Sequence, residues 1–247
     1  MTDKISEQAS CRAPRASVAK KGRRVARRRE QQRSIDTRRM ILEAALAEFA
    51  EKGFEGASTR GIGARAGLQH PLITYHFRTK EILWRAVATH FHTEIQRLWD
   101  QHIPRDPDLP ALDRVREEFR TFLRFTLQHP HFHQFMLNEN RPDSPRLAWL
   151  AKHILGRNIR RVLPQIQAAQ KAGDLPAGEP VLIHYMLIGM TSVLSSLAPE
   201  IRTFSSISPD DSSVVERYWE LIESFIFRRQ GAFRADAPAT APDGLTK

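Results

Sequence analysis

The stretch Ser58-Thr-Arg-Gly-Ile-Gly-Ala-Arg-Ala-Gly-Leu-Gln-His-Pro-Leu-Ile-Thr-Tyr-His-Phe-Arg-Thr-Lys-Glu81 decides how the chain is read. Ser58 is suited to cap a short helix over 59–66, since its hydroxyl can accept from a first-turn amide. Gly67 follows at a helix stop, where a left-handed residue is favoured. Gln69 opens the next helix, with Pro71 in its first turn, where a missing N–H does no harm. That helix ends near Phe77, and Thr79 caps a longer one carrying Ile82, Leu83, Trp84, Val87 and Phe91. Two short helices meeting at Ala66-Gly67-Leu68 form the helix-turn-helix plan, in which one helix crosses a nucleic-acid backbone and the next enters the major groove. Ile62, Ala66 and Ile73 lock the pair together. Ser58, Thr59, Arg60, Gln69, His70, Thr74, Tyr75, His76 and Lys80 are the DNA-binding candidates, being polar or aromatic groups able to face outward, and hydroxyls and charges at helix N-termini suit phosphate oxygens. Phe77 reads as core, and His76 reads equally as a packing residue.

Helical periodicity extends in both directions. Upstream, Asp36 is placed to cap a helix whose stripe is Leu42, Ala45, Leu46 and Phe49. Gly53 stops it, and Phe54 is positioned to meet Phe49 in a Schellman-type contact. Downstream, helices are expected between breaks at Pro104–Pro110, His129-Pro130, Arg141–Pro145, Gly173–Pro180 and Pro199–Pro209. A last helix runs from about Asp211 to Arg229. No segment alternates as a strand, so the fold class is all-α.

The 247 residues include 38 Lys and Arg against 28 Asp and Glu, a formal charge of +10, which points to a polyanionic partner. The excess is local. Residues 1–34 hold 11 basic against 3 acidic side chains, residues 35–94 hold 8 against 7, and residues 95–247 hold 19 against 18. Residues 1–34 also lack apolar periodicity and read as a disordered basic arm, either following DNA phosphates or simply solvated. The Ala- and Pro-rich tail 231–247 reads as disordered too. One cysteine, Cys11, excludes a disulfide framework and a Cys-based zinc site. The N-terminus has no apolar core of a secretory signal, although an Arg-rich, acid-poor start also resembles a transit peptide. The uncharged run 181–198 approaches the length of a membrane span, but its serines, His184 and bracketing prolines favour a buried or intersubunit helix.

The combination Ile41-Leu42-x-x-Ala45, Phe49, Gly53-Phe54, Ser58-Thr59-Arg60, Ile62, Ala66-Gly67-Leu68, Tyr75-His76-Phe77 and Thr79-Lys80-Glu81 resembles the tetracycline-repressor-like (TetR/AcrR) family of bacterial transcription regulators. The resemblance covers residues 35–94, about a quarter of the chain. It implies an N-terminal three-helix DNA-binding domain, with 69–76 as recognition helix, followed by a larger helical ligand-binding and dimerisation domain. By carry-over, Thr59, Tyr75 and Lys80 contact phosphates, while His70 and Leu72 face base edges. Three departures stand out: Gly61 where the family often has an acid, Gly63 where it has Ala, and Thr74 where it favours an aromatic residue. On propensity alone, each glycine weakens its helix by roughly 1 kcal/mol relative to Ala.

The expected domains are therefore 1–34, 35–94, 95–230 and 231–247. Residues 95–230 hold no phosphate loop, no Gly-x-Ser-x-Gly and no His-Glu-x-x-His, so no enzyme and no cofactor are expected. His129-Pro-His131-Phe-His133 reads as structural rather than as a metal site. The resemblance implies a small-molecule pocket, for which Phe132, Phe135, Met136, Trp149, Tyr185, Met186 and Met190 are candidates. It also implies a homodimer through the last two long helices, where Leu182, Leu194, Tyr218, Trp219, Ile222 and Phe225 are candidates. The expected protein is a cytoplasmic, nucleoid-associated, ligand-responsive regulator, more readily a repressor, that binds double-stranded DNA at a palindrome and has no membrane partner. A nonspecific DNA-organising protein using the basic arm is the alternative.

Overall fold

The computed structural model describes residues 15–103, 106 and 108–227, with side chains from residue 27 onward; the expectations for residues 1–14 and for the tail 231–247 lie outside the described residues. Every described element is helical: α1 (Arg15–Gly56), α2 (Thr59–Ala66), α3 (His70–His76), α4 (Lys80–His102), α5 (Ala111–Gln128), α6 (His131–Leu137), α7 (Pro145–Leu150), α8 (Gly156–Lys171), α9 (Pro180–Ser196), α10 (Ala198–Phe204) and α11 (Ser212–Ile226). A π-helical turn, Ala151–Leu155, joins α7 to α8.

Capping follows the sequence closely. Ser58 accepts from the Gly61 amide and Thr79 from the Ile82 amide. Gly67 ends α2 at φ 66°, and Gly53 breaks the end of α1 at φ 67°, ψ 175°. These positive φ values suit residues without a Cβ. Phe54 then stacks on Phe49 with ring centroids 6.0 Å apart.

The start of α1 differs from expectation. Residues 15–34, read as part of a disordered arm, are helical, and Asp36 lies inside the helix, accepting from the Gln32 side-chain amide at 3.0 Å, instead of capping its start. The segment is rich in Ala, Arg, Lys and Gln, whose helix propensity favours continuing upstream. Residues 27–34 are exposed on every side, so local propensity rather than packing carries this turn of helix.

From Ile41 onward α1 enters a core. Ile41, Leu42, Ala45 and Phe49 pack with Ile62, Ile73, Phe77 and Trp84, all buried. The same cluster continues through Phe91, Phe125, Phe132, Phe135 and Leu150, across the expected boundary at residue 94. The shared element is α4, buried along Leu83, Trp84, Val87, Phe91, Ile95 and Trp99. A second cluster gathers α5, α8, α9 and α11 around Val115, Phe119, Leu123, Ile166, Leu187 and Trp219. Ion pairs tie α5 to α11 beside it: Arg124 with Glu216 at 3.1 Å and Arg116 with Glu223 at 3.2 Å.

No single helix among the described residues is long and apolar enough to cross a membrane; α9 and α10 pass that test only together and are bent by 61°. Among the described residues, no three His, Cys, Asp or Glu side chains are grouped to hold a metal ion. His129 faces Glu94 at 3.5 Å, and His133 faces Ser192 Oγ at 3.5 Å.

Candidate nucleic-acid interface

Ile62 and Ile73, both fully buried, pin α2 to α3. The backbone approach is close at Gly63: its carbonyl accepts from the Leu68 amide at 2.9 Å, and a Cβ there would stand 2.9 Å from the Leu68 carbonyl oxygen. At Gly61 the space of a Cβ is taken by the carboxylate of Glu48, an α1 residue that is itself buried. Glu48 accepts from Lys52 at 2.8 Å and lies 3.6 Å from Arg65. Both glycines therefore serve close packing, and an acid from α1 stands beside the N-terminal turn of α2, where negative charge is favoured.

This packing presents one polar face. Ser58, Arg60, Gln69, Thr74 and Tyr75 are exposed, Tyr75 to 81%. Thr59, His70, Leu72 and His76 are half-buried. Thr59 Oγ1 and His70 Nε2 meet at 3.0 Å, joining the N-terminal ends of α2 and α3. The Thr74 hydroxyl donates to the Pro71 carbonyl at 2.9 Å, leaving its lone pairs outward for donors. Tyr75 and His76 pack edge to face, with centroids 5.4 Å apart. Burial, then the charge of Arg38, lowers the His76 pKa, so this imidazole is neutral at pH 7.

Lys80 stands apart from this group. Its ammonium donates to the Glu55 carbonyl at 3.2 Å and the Ala57 carbonyl at 3.1 Å, and lies 4.6 Å from the Phe54 ring centroid. It holds the α1–α2 loop. Arg38 is a residue that sequence reasoning missed: it is exposed on α1, and its guanidinium lies 4.5 Å from the Phe77 ring centroid, beside the end of α3. Its position one turn before the buried run starting at Ile41 was the available signal.

A cavity of about 290 Å³ lies between α4, α5, α6, α7, α8 and α9. Of the expected pocket residues, Phe132, Met136 and Tyr185 line it. The other four are placed elsewhere. Phe135 packs on Trp84 at 5.4 Å, Trp149 meets Trp84 edge-on at 5.9 Å, Met186 is exposed, and the Met190 carbonyl accepts from the Tyr218 hydroxyl at 2.6 Å. Aromatic and thioether content marks core as readily as a pocket. The polar wall, unforeseen, consists of His92, Glu118, His133, Asn140, Asn158, Arg161 and His184.

The expected dimer residues also divide. Leu194, Trp219 and Ile222 are buried within the subunit's second core, and Tyr218 is half-buried, so they do not form an outer face. Leu182 and Phe225 are exposed to 60% and 75%. Tyr185, Met186 and Leu221 join them as exposed apolar side chains on α9 and α11.

Residues 41–87 match the model for bacterial regulatory proteins, tetR family. An HTH-type transcriptional repressor of Mycobacterium tuberculosis is 43% identical over 74 residues, which span 30% of this chain and 39% of that protein's length. Among solved structures, a bacterial regulatory protein in the tetR family from Rhodococcus is 23% identical with a TM-score of 0.58, covering 77% of this chain and 97% of that one. The ketosteroid transcriptional regulator of Mycobacterium tuberculosis is 18% identical with a TM-score of 0.60, covering 77% of this chain and 95% of that one. At these identities the two structures establish a common fold across both helical units.

Proposed function

We propose that the chain is a regulator of the tetR type, and that it acts as a ligand-responsive, sequence-specific transcriptional repressor, a homodimer on palindromic DNA. The observation that carries this reading is the exposed face of α2 and α3, with Arg60, Gln69, Thr74 and Tyr75 outward over a rigid apolar base. Residues 35–94 serve as the DNA-binding unit and 95–230 as the regulatory unit. Arg38 adds a cation beside the recognition helix, available for phosphate. A second copy pairs through the exposed stripe of α9 and α11, setting two recognition helices about 34–36 Å apart for successive major grooves. A molecule in the cavity shifts the population of subunit arrangements away from that spacing, and so must bind the released state more tightly than the DNA-bound one. Such a protein works in the cytoplasm, where the DNA is. The sign of regulation follows the named repressor among its relatives.

Selection of bound duplexes from a random pool, followed by footprinting, tests the reading. A discrete palindrome covered by two copies is the expected result. Uniform coverage of any duplex would replace it with a nonspecific DNA-organising role for the basic helix.

A further inference from the structure

Among the described residues, only two formally charged side chains, Glu118 and Arg161, line the cavity, and they are spent on each other. Arg161 Nε donates to Glu118 Oε1, while its Nη1 reaches Asp100 at 3.4 Å and its guanidinium lies 5.3 Å from the Trp99 ring centroid. The Trp99 indole in turn donates to the Glu118 backbone carbonyl at 3.0 Å. A ligand carboxylate or phosphate would meet a guanidinium already shared between two carboxylates, and would be buried without a counter-charge. A ligand ammonium would have to compete with Arg161 for the buried Glu118, breaking a pair that is already made.

The neutral polar groups are differently placed. His92 on α4 is 5% exposed and His184 on α9 is 7% exposed, and both line the cavity. His92 Nε2, His184 Nδ1 and the Asn158 Oδ1 of α8 have no hydrogen-bond partner among the described protein groups. Burial lowers both imidazole pKa values, His184 to about 4, so each is neutral at pH 7 and offers one donor and one acceptor. The remaining wall is largely apolar, including Ile95, Phe119, Phe122 and Ile188. Uncommitted neutral polar atoms from three helices around an apolar hollow are the arrangement that orients a small ligand.

We propose that the cavity takes an uncharged, largely hydrophobic molecule bearing a hydroxyl or carbonyl oxygen, oriented by His92, His184 and Asn158. At roughly 30 Å³ per water-sized unit, the volume suits about ten heavy atoms. The inference rests on the regulator reading for its biological consequence, but binding itself is measurable without DNA.

Calorimetric titration of the full chain at about pH 7.5 with decanol, decanone and decanoate tests it. Decanol or decanone is expected to bind at least about tenfold more tightly than decanoate. His92→Phe and His184→Phe are each expected to weaken decanol binding by about tenfold. Preference for decanoate, or no binding of either neutral probe, overturns the proposal; so does undiminished decanol binding by both variants. Should a variant fail to fold, the preference of the unaltered chain still decides. A protein that binds decanol yet selects no DNA keeps this inference and loses the regulator reading. One that selects a palindrome yet prefers decanoate does the reverse.

Discussion

Gly63 shows how a single missing methyl group is used. Helix propensity says that Ala there should stabilise α2 by about 1 kcal/mol. The structure says otherwise, because the new Cβ would press on the Leu68 backbone carbonyl at 2.9 Å, and a backbone atom in a tight turn yields little. Gly63→Ala is therefore expected to lower stability by about 1–3 kcal/mol, the usual range for overpacking, and a urea midpoint equal to or above that of the unaltered chain would refute this. Histidines partly or wholly withdrawn from water make a second residue-scale prediction. Burial lowers the pKa values of His90, His92, His133 and His184, the last to about 4. The unfolded chain takes up these protons below about pH 6.5 while the folded chain resists them, so stability falls as pH drops through that window. For His184 alone the loss is about 2 kcal/mol at about pH 5. Glu118 acts in the opposite sense: burial raises its pKa, so as pH falls the folded chain takes up this proton before the unfolded one and offsets part of the loss. Urea midpoints at about pH 7.5 and pH 5 should differ, and His184→Phe should narrow the difference; an unchanged difference would exclude His184 as a source.

Among the elements, α6 touches both ends of the proposed mechanism. Phe132, His133, Met136 and Leu137 line the cavity, while Asn138, the residue that caps the C-terminal end of α6, donates through Nδ2 to the Phe49 and Ala50 carbonyls of α1 at 2.9 Å each. Those carbonyls lie at the end of α1 before the Gly53 break, where intrahelical donors run out. Asn138→Ala should cost about 1–2 kcal/mol for the two hydrogen bonds it removes, and Asn138→Asp more, because a carboxylate would face two carbonyl oxygens at a helix C-terminus. Thermal unfolding giving the reverse order would show that the amide does not hold the helix end. The start of α1 yields a different prediction. Removing residues 1–30 deletes 10 Lys and Arg, and the salt slope of DNA binding should flatten by about 0.9 for each phosphate that is no longer neutralised. An unchanged slope in an anisotropy titration would leave this segment without a role on DNA. These elements also mark what was legible in the sequence. Ser58, Thr79, Gly53 and Gly67 announced their roles because capping is local chemistry, and the outward face of α2 and α3 followed from period and spacing. Asp36 misled, since a good cap is silent when the helix simply continues upstream. Trp149 and Met190 misled because contact across the fold, not residue type, separates core from cavity. Arg161 and Glu118, 43 positions apart, could be paired only once α5 and α8 were packed together.

At the scale of the molecule, Tyr185 connects the cavity with the outside. It lines the hollow and is also 53% exposed, within the stripe that includes Leu182 and Met186 on α9. A ligand that displaces Tyr185 therefore alters the very surface on which a second copy is proposed to sit, which supplies a physical route from occupancy to subunit spacing. The route requires that this stripe, and not the buried Trp219 and Ile222, hold the dimer. Leu182→Glu and Phe225→Glu test the requirement cleanly, because both side chains stand outside the subunit core and their replacement leaves the core packing in place. Each should convert the proposed dimer to a monomer in sedimentation velocity while helical content and the urea midpoint change little. A monomer reads one half-site only, so operator binding should weaken from the range of about 10⁻⁸–10⁻¹¹ M, typical of specific complexes, toward the 10⁻⁴–10⁻⁶ M typical of nonspecific ones. The two readouts must move together: a monomer that still bound the full palindrome with undiminished affinity would show that dimerisation is not what spaces the recognition helices. A charged variant that stayed dimeric would move the interface off α9 and α11 altogether, and with it the proposed link from Tyr185 to DNA release.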